Sequence, residues 1–116
     1  MAASVELFCT EDRLIARLTG DIDHHAAGTL REQIDLAIQR THPPEILLDF
    51  GGVSFMDSSG IGLVMGRYRA ASEYGARLIV DQIPPGIFKV MRLAGLDRLA
   101  QLRRGTPQQT EQEEGL

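Results

Sequence analysis

Apolar and polar residues alternate in two short runs near the start of the chain. Val5, Leu7 and Cys9 are separated by Glu6 and Phe8, and the run from Arg13 to Thr19 puts Leu14, Ala16 and Leu18 on one side. A period of two is the mark of a strand. With the polar turn Thr10-Glu11-Asp12 between them, the runs predict an antiparallel hairpin whose second strand ends at Gly20. From Asp23 the period lengthens. Leu30, Ile34, Ala37 and Ile38 recur at helical spacing, so a helix capped by Asp23 is expected to reach about Arg40. Thr41-His42-Pro43-Pro44 stops it, because proline cannot continue a helix. Glu45 to Phe50 contains the unbroken run Ile46-Leu47-Leu48, a strand covered on both faces, and Gly51-Gly52 reads as a loop. A second helix opens at the serines Ser58-Ser59, carries Ile61, Val64, Met65 and Tyr68 on one face, and closes at Tyr74-Gly75. Arg77 to Asp81 is another apolar strand. Strand, helix and strand in succession form a βαβ unit, so the Leu47 and Ile79 strands should lie parallel with a right-handed crossover.

Pro85 suits the first position of a short third helix, with Ile87, Val90 and Met91 inward and Ala94-Gly95 at its end. Leu96 to Leu102 holds one more short strand or turn. The chain therefore reads as α/β: one small domain over residues 1–105, a mixed β-sheet with packed helices, an N-terminal antiparallel hairpin followed by βαβ. It has no internal repeat. From Thr106 only Leu116 is apolar, so residues 106–116 are expected to be a polar, frayed or disordered tail.

Composition narrows the function classes. The 116 residues suffice for one core, and 43% hydrophobic with 24% charged residues is a soluble, globular balance. Aromatics are few, so the core must be aliphatic. No apolar run approaches the roughly 18 residues of a membrane span, and no secretory leader opens the chain. The single cysteine, Cys9, excludes an internal disulfide and fits a reducing cytoplasm. Its place in a strand pattern reads as a small core residue. The net charge of −4 is concentrated in Glu111, Glu113 and Glu114, which leaves the body nearly neutral. Arg103-Arg104 is too little to make the basic stripe of a nucleic-acid binder.

Candidate chemistry gathers at Phe55-Met56-Asp57-Ser58-Ser59-Gly60-Ile61-Gly62. Ser58 or Ser59 falls at or beside the helix N-cap, where a hydroxyl accepts from a free backbone N–H. The same helix end favours a phosphate. The pair is thus an ordinary cap or a phosphorylation switch. Gly60, Gly62 and Gly66 each cost the helix roughly 1 kcal/mol against alanine. Small residues there let a partner group approach and leave the serine hydroxyls open to a visiting active site. His24-His25 lies between two aspartates and the helix, but adjacent histidines point in different directions, which disfavours one metal taking both. One is expected to pack and the other to be exposed; His42 sits at the far end of the same helix. Ser58 or Ser59, His24 or His25, and Asp21 or Asp23 make the residue set of a serine hydrolase, without its Gly-x-Ser-x-Gly elbow. A phosphate-cradling Gly-x-x-x-x-Gly-Lys-Ser/Thr loop is also absent.

Three segments carry a resemblance. Leu18-Thr19-Gly20-Asp21-Ile22-Asp23-His24-His25, Leu47-Leu48-Asp49-Phe50 and Phe55-Met56-Asp57-Ser58-Ser59-Gly60-Ile61-Gly62, followed by Gly66-Arg67-Tyr68, are similar to the STAS domain. Within it they resemble the sporulation branch of anti-sigma factor antagonists. The likeness runs from about residue 4 to residue 103, and Leu93-Ala94-Gly95-Leu96 resembles the family's turn after its third helix. Relatives more often carry glutamate at the position of Asp21, which keeps the charge. They also have apolar residues in the last segment, which this chain lacks. The resemblance implies a partner switch without enzymatic activity, metal or cofactor. The unphosphorylated antagonist would bind an anti-sigma F factor, itself an ATP-dependent serine kinase, and free the sporulation sigma factor F. Phosphorylation on the first serine, Ser58, would inactivate it, and a serine phosphatase would restore it. The implied partner surface is Asp21, Asp23, His24, Met56, Asp57, Ser58, Ser59, Gly60, Ile61 and Gly62. A STAS module of a general stress cascade or a transport complex, and the small serine hydrolase, remain the alternatives.

Overall fold

The computed structural model describes residues 1–105. The expected polar tail from Thr106 lies outside the described residues. The alternating runs form an antiparallel hairpin of β1 (Ser4–Cys9) and β2 (Leu14–Ile22), with Leu7 opposite Ala16. α1 (His24–Thr41) follows, closed by His42 in the left-handed region at φ 45°. β3 (Glu45–Met56), α2 (Ser58–Glu73) and β4 (Arg77–Ile83) make the βαβ unit, in which Leu47 pairs with Ile79 in parallel. α3 (Pro85–Leu93), a single 3-10 turn at Leu96–Arg98 and β5 (Gln101–Arg104) complete the chain. The sheet runs β1-β2-β3-β4-β5, and every neighbouring pair after the hairpin is parallel.

The sheet has two unlike faces. Leu14, Ala16 and Leu18 of β2, Ile46, Leu48 and Phe50 of β3, and Leu78 and Val80 of β4 join Leu30, Ile34 and Ile38 of α1 and Leu63 and Val64 of α2 in one core. Successive crossovers of one hand, stepping in one direction, place their helices on one face. Leu47 and Ile79 are also buried but stand outside that core, on the other face. There Ile15, Leu47 and Ile79 lie in one row, flanked by charged rows. Arg13 and Arg77 both meet Glu45 on one side, and Arg17 lies 3.6 Å from Asp49 on the other.

Several expectations are corrected. β2 does not end at Gly20, and Gly51-Gly52 is not a loop: both strands run on, to Ile22 and Met56. Irregularities between Arg17 and Thr19 and between Gly20 and Asp21 keep them paired. Gly20 has φ +85°, and a Cβ there would stand 2.3 Å from the Ala2 carbonyl oxygen. A β-carbon at Gly52 would press on Thr19 at 2.7 Å. These glycines are read better as close approaches within a bulged ladder than as strand ends. The buried face of α2 is also rotated from the expected one, to Gly60, Leu63, Val64, Arg67 and Ala71. Ile61, Met65 and Tyr68 are only half-buried. In α3 Met91 is inward but Val90 is exposed, because that helix covers only the edge of the sheet. Cys9 is exposed on the edge strand, not a core residue.

Candidate functional site

The extensions of β2 and β3 carry two helix starts to one end of the sheet. Ile22 and Met56 are paired, and the Asp57 N–H donates to the Ile22 carbonyl at 3.2 Å. Each strand then meets an aspartate and a helix. Asp23 Oδ1 accepts from the His25 and Ala26 N–H groups at 3.0 Å, capping α1. Asp57 Oδ1 accepts from Ser59 N–H at 2.8 Å, capping α2. The cap of α2 is therefore Asp57, not either serine. A carboxylate accepts well from the free amides and complements the positive helix end, so it outcompetes the hydroxyls beside it.

That leaves Ser58 as the first residue of α2, exposed, its hydroxyl making no hydrogen bond to another described residue. Ser59 is half-buried. Gly60 is buried. A Cβ there would fall 2.1 Å from Met56 Cγ, so the side chain ending β3 packs under the first turn of α2 only because Gly60 has none. Gly62 and Gly66 meet nothing within 4 Å. Phe55, next to this end of β3, is 52% exposed.

Asp21, Asp23 and His24 thus stand at the end of β2, and Met56, Asp57, Ser58, Ser59 and Gly60 at the paired end of β3. Ile61 and Gly62 follow in the first turn of α2. Asp21 Oδ2 lies 2.8 Å from the Met1 ammonium group. A cavity of about 510 Å³ opens beside it, lined by residues 1–3, Asp21, Asp23 and the first turns of α1. His24 and His25 are both exposed, their rings edge to face with centroids 5.7 Å apart; neither is buried, contrary to the expectation that one would pack into the domain. Both capping aspartates are engaged by backbone N–H groups, and no histidine–carboxylate bond joins them among the described residues. A Ser-His-Asp relay is not assembled. The described residues contain no group of three or more metal-ligating side chains.

One element escaped the sequence reading. Arg67 of α2 is buried and faces Asp35 of α1, with Nη2 donating to Oδ2 at 3.2 Å and Nε 2.9 Å from Oδ1. Burial lowers the Arg67 pKa from its usual value; Asp35 opposes that effect and Arg31 adds to it. The signal was a charged residue four places after Leu63, in the stripe that proved to be the buried one.

A parallel-ended sheet with aspartate-capped helices, and an open serine starting the second of them, defines a small α/β class. The STAS domain family model matches residues 4–113, and the chain belongs to that family. It is similar to the anti-sigma F factor antagonist of Lysinibacillus sphaericus, 39% identical over 75% of this chain and 74% of that one. The corresponding protein of Paenibacillus polymyxa is 37% identical over 74% of each. Among solved structures, the anti-sigma factor antagonist SpoIIAA in its unphosphorylated form superposes with a TM-score of 0.76 at 32% identity, covering 97% of this chain and 98% of that one. The Bacillus cell fate determinant SpoIIAA in its phosphorylated form superposes with a TM-score of 0.70 at 32% identity, over 95% and 98%.

Proposed function

We propose that this chain is a cytoplasmic anti-sigma factor antagonist whose partner is an anti-sigma F factor with serine kinase activity. Unphosphorylated, it binds that factor and frees the sporulation sigma factor F. The γ-phosphoryl group of ATP then passes to Ser58 Oγ, the hydroxyl proton is lost, ADP leaves, and the complex dissociates. A serine phosphatase reverses the modification. The observation that carries this reading is the exposed Ser58 hydroxyl at the first position of a helix already capped by Asp57. Because Ser58 does not hold the helix, phosphorylation need not unfold it, and the helix end favours the new charge. The likeness to SpoIIAA solved in both phosphorylation states supports the same reading.

The partner surface comprises Asp21, Asp23, His24, Met56, Asp57, Ser58, Ser59, Gly60, Ile61 and Gly62. Phosphate adds about −1.5 to −2 of charge to a surface that already holds three aspartates. A partner fitted to a neutral hydroxyl would have to bury a strongly hydrated dianion, at a cost of several kcal/mol. Affinity should fall on the order of 100-fold or more, since each 1.4 kcal/mol is a factor of ten. Incubation with the anti-sigma kinase and ATP should add one phosphate, mapped to Ser58 by fragmentation mass spectrometry. Ser58→Ala should bind constitutively, Ser58→Asp poorly, and Ser59→Ala should remain a substrate. Phosphate on Ser59, or unimpaired binding by Ser58→Asp, would refute the proposal.

A further inference from the structure

β1 is the outer strand of the sheet, and among the described residues only β2 pairs with it. The phase of the hairpin shows which backbone groups are left over. The Thr10 N–H donates to the Arg13 carbonyl, so Thr10 and Arg13 face each other as a hydrogen-bonded pair. Such pairs alternate along an antiparallel ladder. Phe8–Ile15 and Glu6–Arg17 are then bonded, while Val5, Leu7 and Cys9 turn their N–H and C=O groups outward. Sheet edges are usually blunted by proline, lysine or a bulge. This one has none of them: its only charge is Glu6 and its pairing with β2 is unbroken. Leu7 and Phe8 are 37% and 43% exposed at this edge. On the open face, Phe8 also ends the apolar row Phe8–Ile15–Leu47–Ile79.

We propose that β1 pairs antiparallel with β1 of a second copy of this chain, about a two-fold axis through Phe8. Outward groups on Val5, Leu7 and Cys9 restrict the symmetric registers to three near the strand centre. An axis through Glu6 sets two carboxylates face to face. An axis through Leu7 sets Glu6 against Phe8 of the other copy. An axis through Phe8 pairs the two phenyl rings, places Leu7 opposite Cys9, and joins the apolar rows of both copies into one. Directly opposed aromatic residues stabilise such a pair. The charges agree as well. Glu6 then faces Thr10 of the other copy, whose hairpin neighbour is Arg13, so the row across the seam reads Arg17, Glu6, Thr10, Arg13, Glu45 with no like charges adjacent. Only a short stretch of each strand overlaps, which makes this a small, reversible contact. Phe8 lies toward the hairpin-turn end of the sheet, opposite the end that carries Ser58, so the dimer leaves both serines accessible and does not depend on the function proposed above.

The register is tested by cross-linking. In the wild type the two Cys9 residues are offset by two positions, too far for an unstrained disulfide. In Leu7→Cys the new thiol faces Cys9 of the other copy. Glutathione disulfide should then give a covalent dimer as the main product, two thiols forming one disulfide with release of two glutathione thiols. Leu7→Cys with Cys9→Ser should lose that product, and Val5→Cys should not form it. Sedimentation of the full wild-type chain should show reversible dimerisation that rises with concentration and is lost in Phe8→Lys, whose folding is checked by circular dichroism. A wild type that stays monomeric at millimolar concentration, or a Val5→Cys chain that cross-links more readily than Leu7→Cys, would overturn the proposal.

Discussion

Gly60, Gly62 and Gly66 look alike in sequence and differ in what surrounds them. At Gly60 an added methyl collides with Met56, so Gly60→Ala should force that side chain off its rotamer and cost about 1–3 kcal/mol. At Gly62 and Gly66 there is open space, and alanine should stabilise the helix by about 0.5–1 kcal/mol each. Chemical denaturation of the three variants checks this, and equal effects at Gly60 and Gly62 would contradict it. Gly62 has no packing reason to be glycine, which agrees with its place on the proposed partner surface. Gly62→Ala is therefore expected to gain stability and lose affinity for the anti-sigma partner. Asp57 is a separate case. Asp57→Ala removes the cap of α2 and should cost about 1 kcal/mol, whatever it does to binding.

At the scale of elements, the two helices that border the site are tied by Arg67 and Asp35. Arg67 is nearly inaccessible, whereas the Asp35 side chain is 32% exposed. The two removals should therefore be unequal. Asp35→Ala leaves a buried guanidinium without its carboxylate and should cost about 3 kcal/mol or more. Arg67→Met leaves a carboxylate that water reaches and fills the space with an apolar chain, so its cost should be clearly smaller. A double-mutant cycle read by urea denaturation gives the coupling, and equal single-variant losses would refute the asymmetry. The strands show the same dependence on neighbours. β3 continues through Gly51-Gly52 because β2 bulges beside it, and that extension brings Met56 and Asp57 to the start of α1.

For the molecule as a whole, the prediction concerns the polar segment after Gly105. Beyond Gly105 only Pro107 and the terminal Leu116 are apolar, too little to bury a face, so truncation after Gly105 should change the unfolding free energy by less than about 1 kcal/mol. A larger loss in denaturant titration would show that the segment contributes to the domain. At this scale the architecture follows from order and hand. Among the described residues, a hairpin and then three crossovers stepping the same way put the helices on one face of the sheet and leave the other without one. Among the described residues, the helix-free face and the unpaired β1 edge follow from that topology, not from any single residue.

Local chemistry made much of this legible in advance. Period-two runs, the Asp23 cap, the proline stop at Pro43-Pro44 and the left-handed Gly75 and Gly95 depend on neighbours a few residues away, so the chain states them directly. The parallel pairing of the Leu47 and Ile79 strands was readable for the same reason: a crossover helix allows little else. What the sequence left open depends on residues distant along the chain. Gly20 and Gly52 look like strand breakers until Ala2 and Thr19 are seen against them. Arg67 looks like a surface charge until Asp35 approaches from another helix. Asp57, chemically the better cap, is held in extended backbone at the start of α2 by its N–H bond to the Ile22 carbonyl of β2, a partner far away along the chain. Cys9 and Phe8 fit a strand pattern equally well in the middle of a sheet or at its edge. Only the strand order, set by long-range pairing, puts them at the edge and leaves them in water.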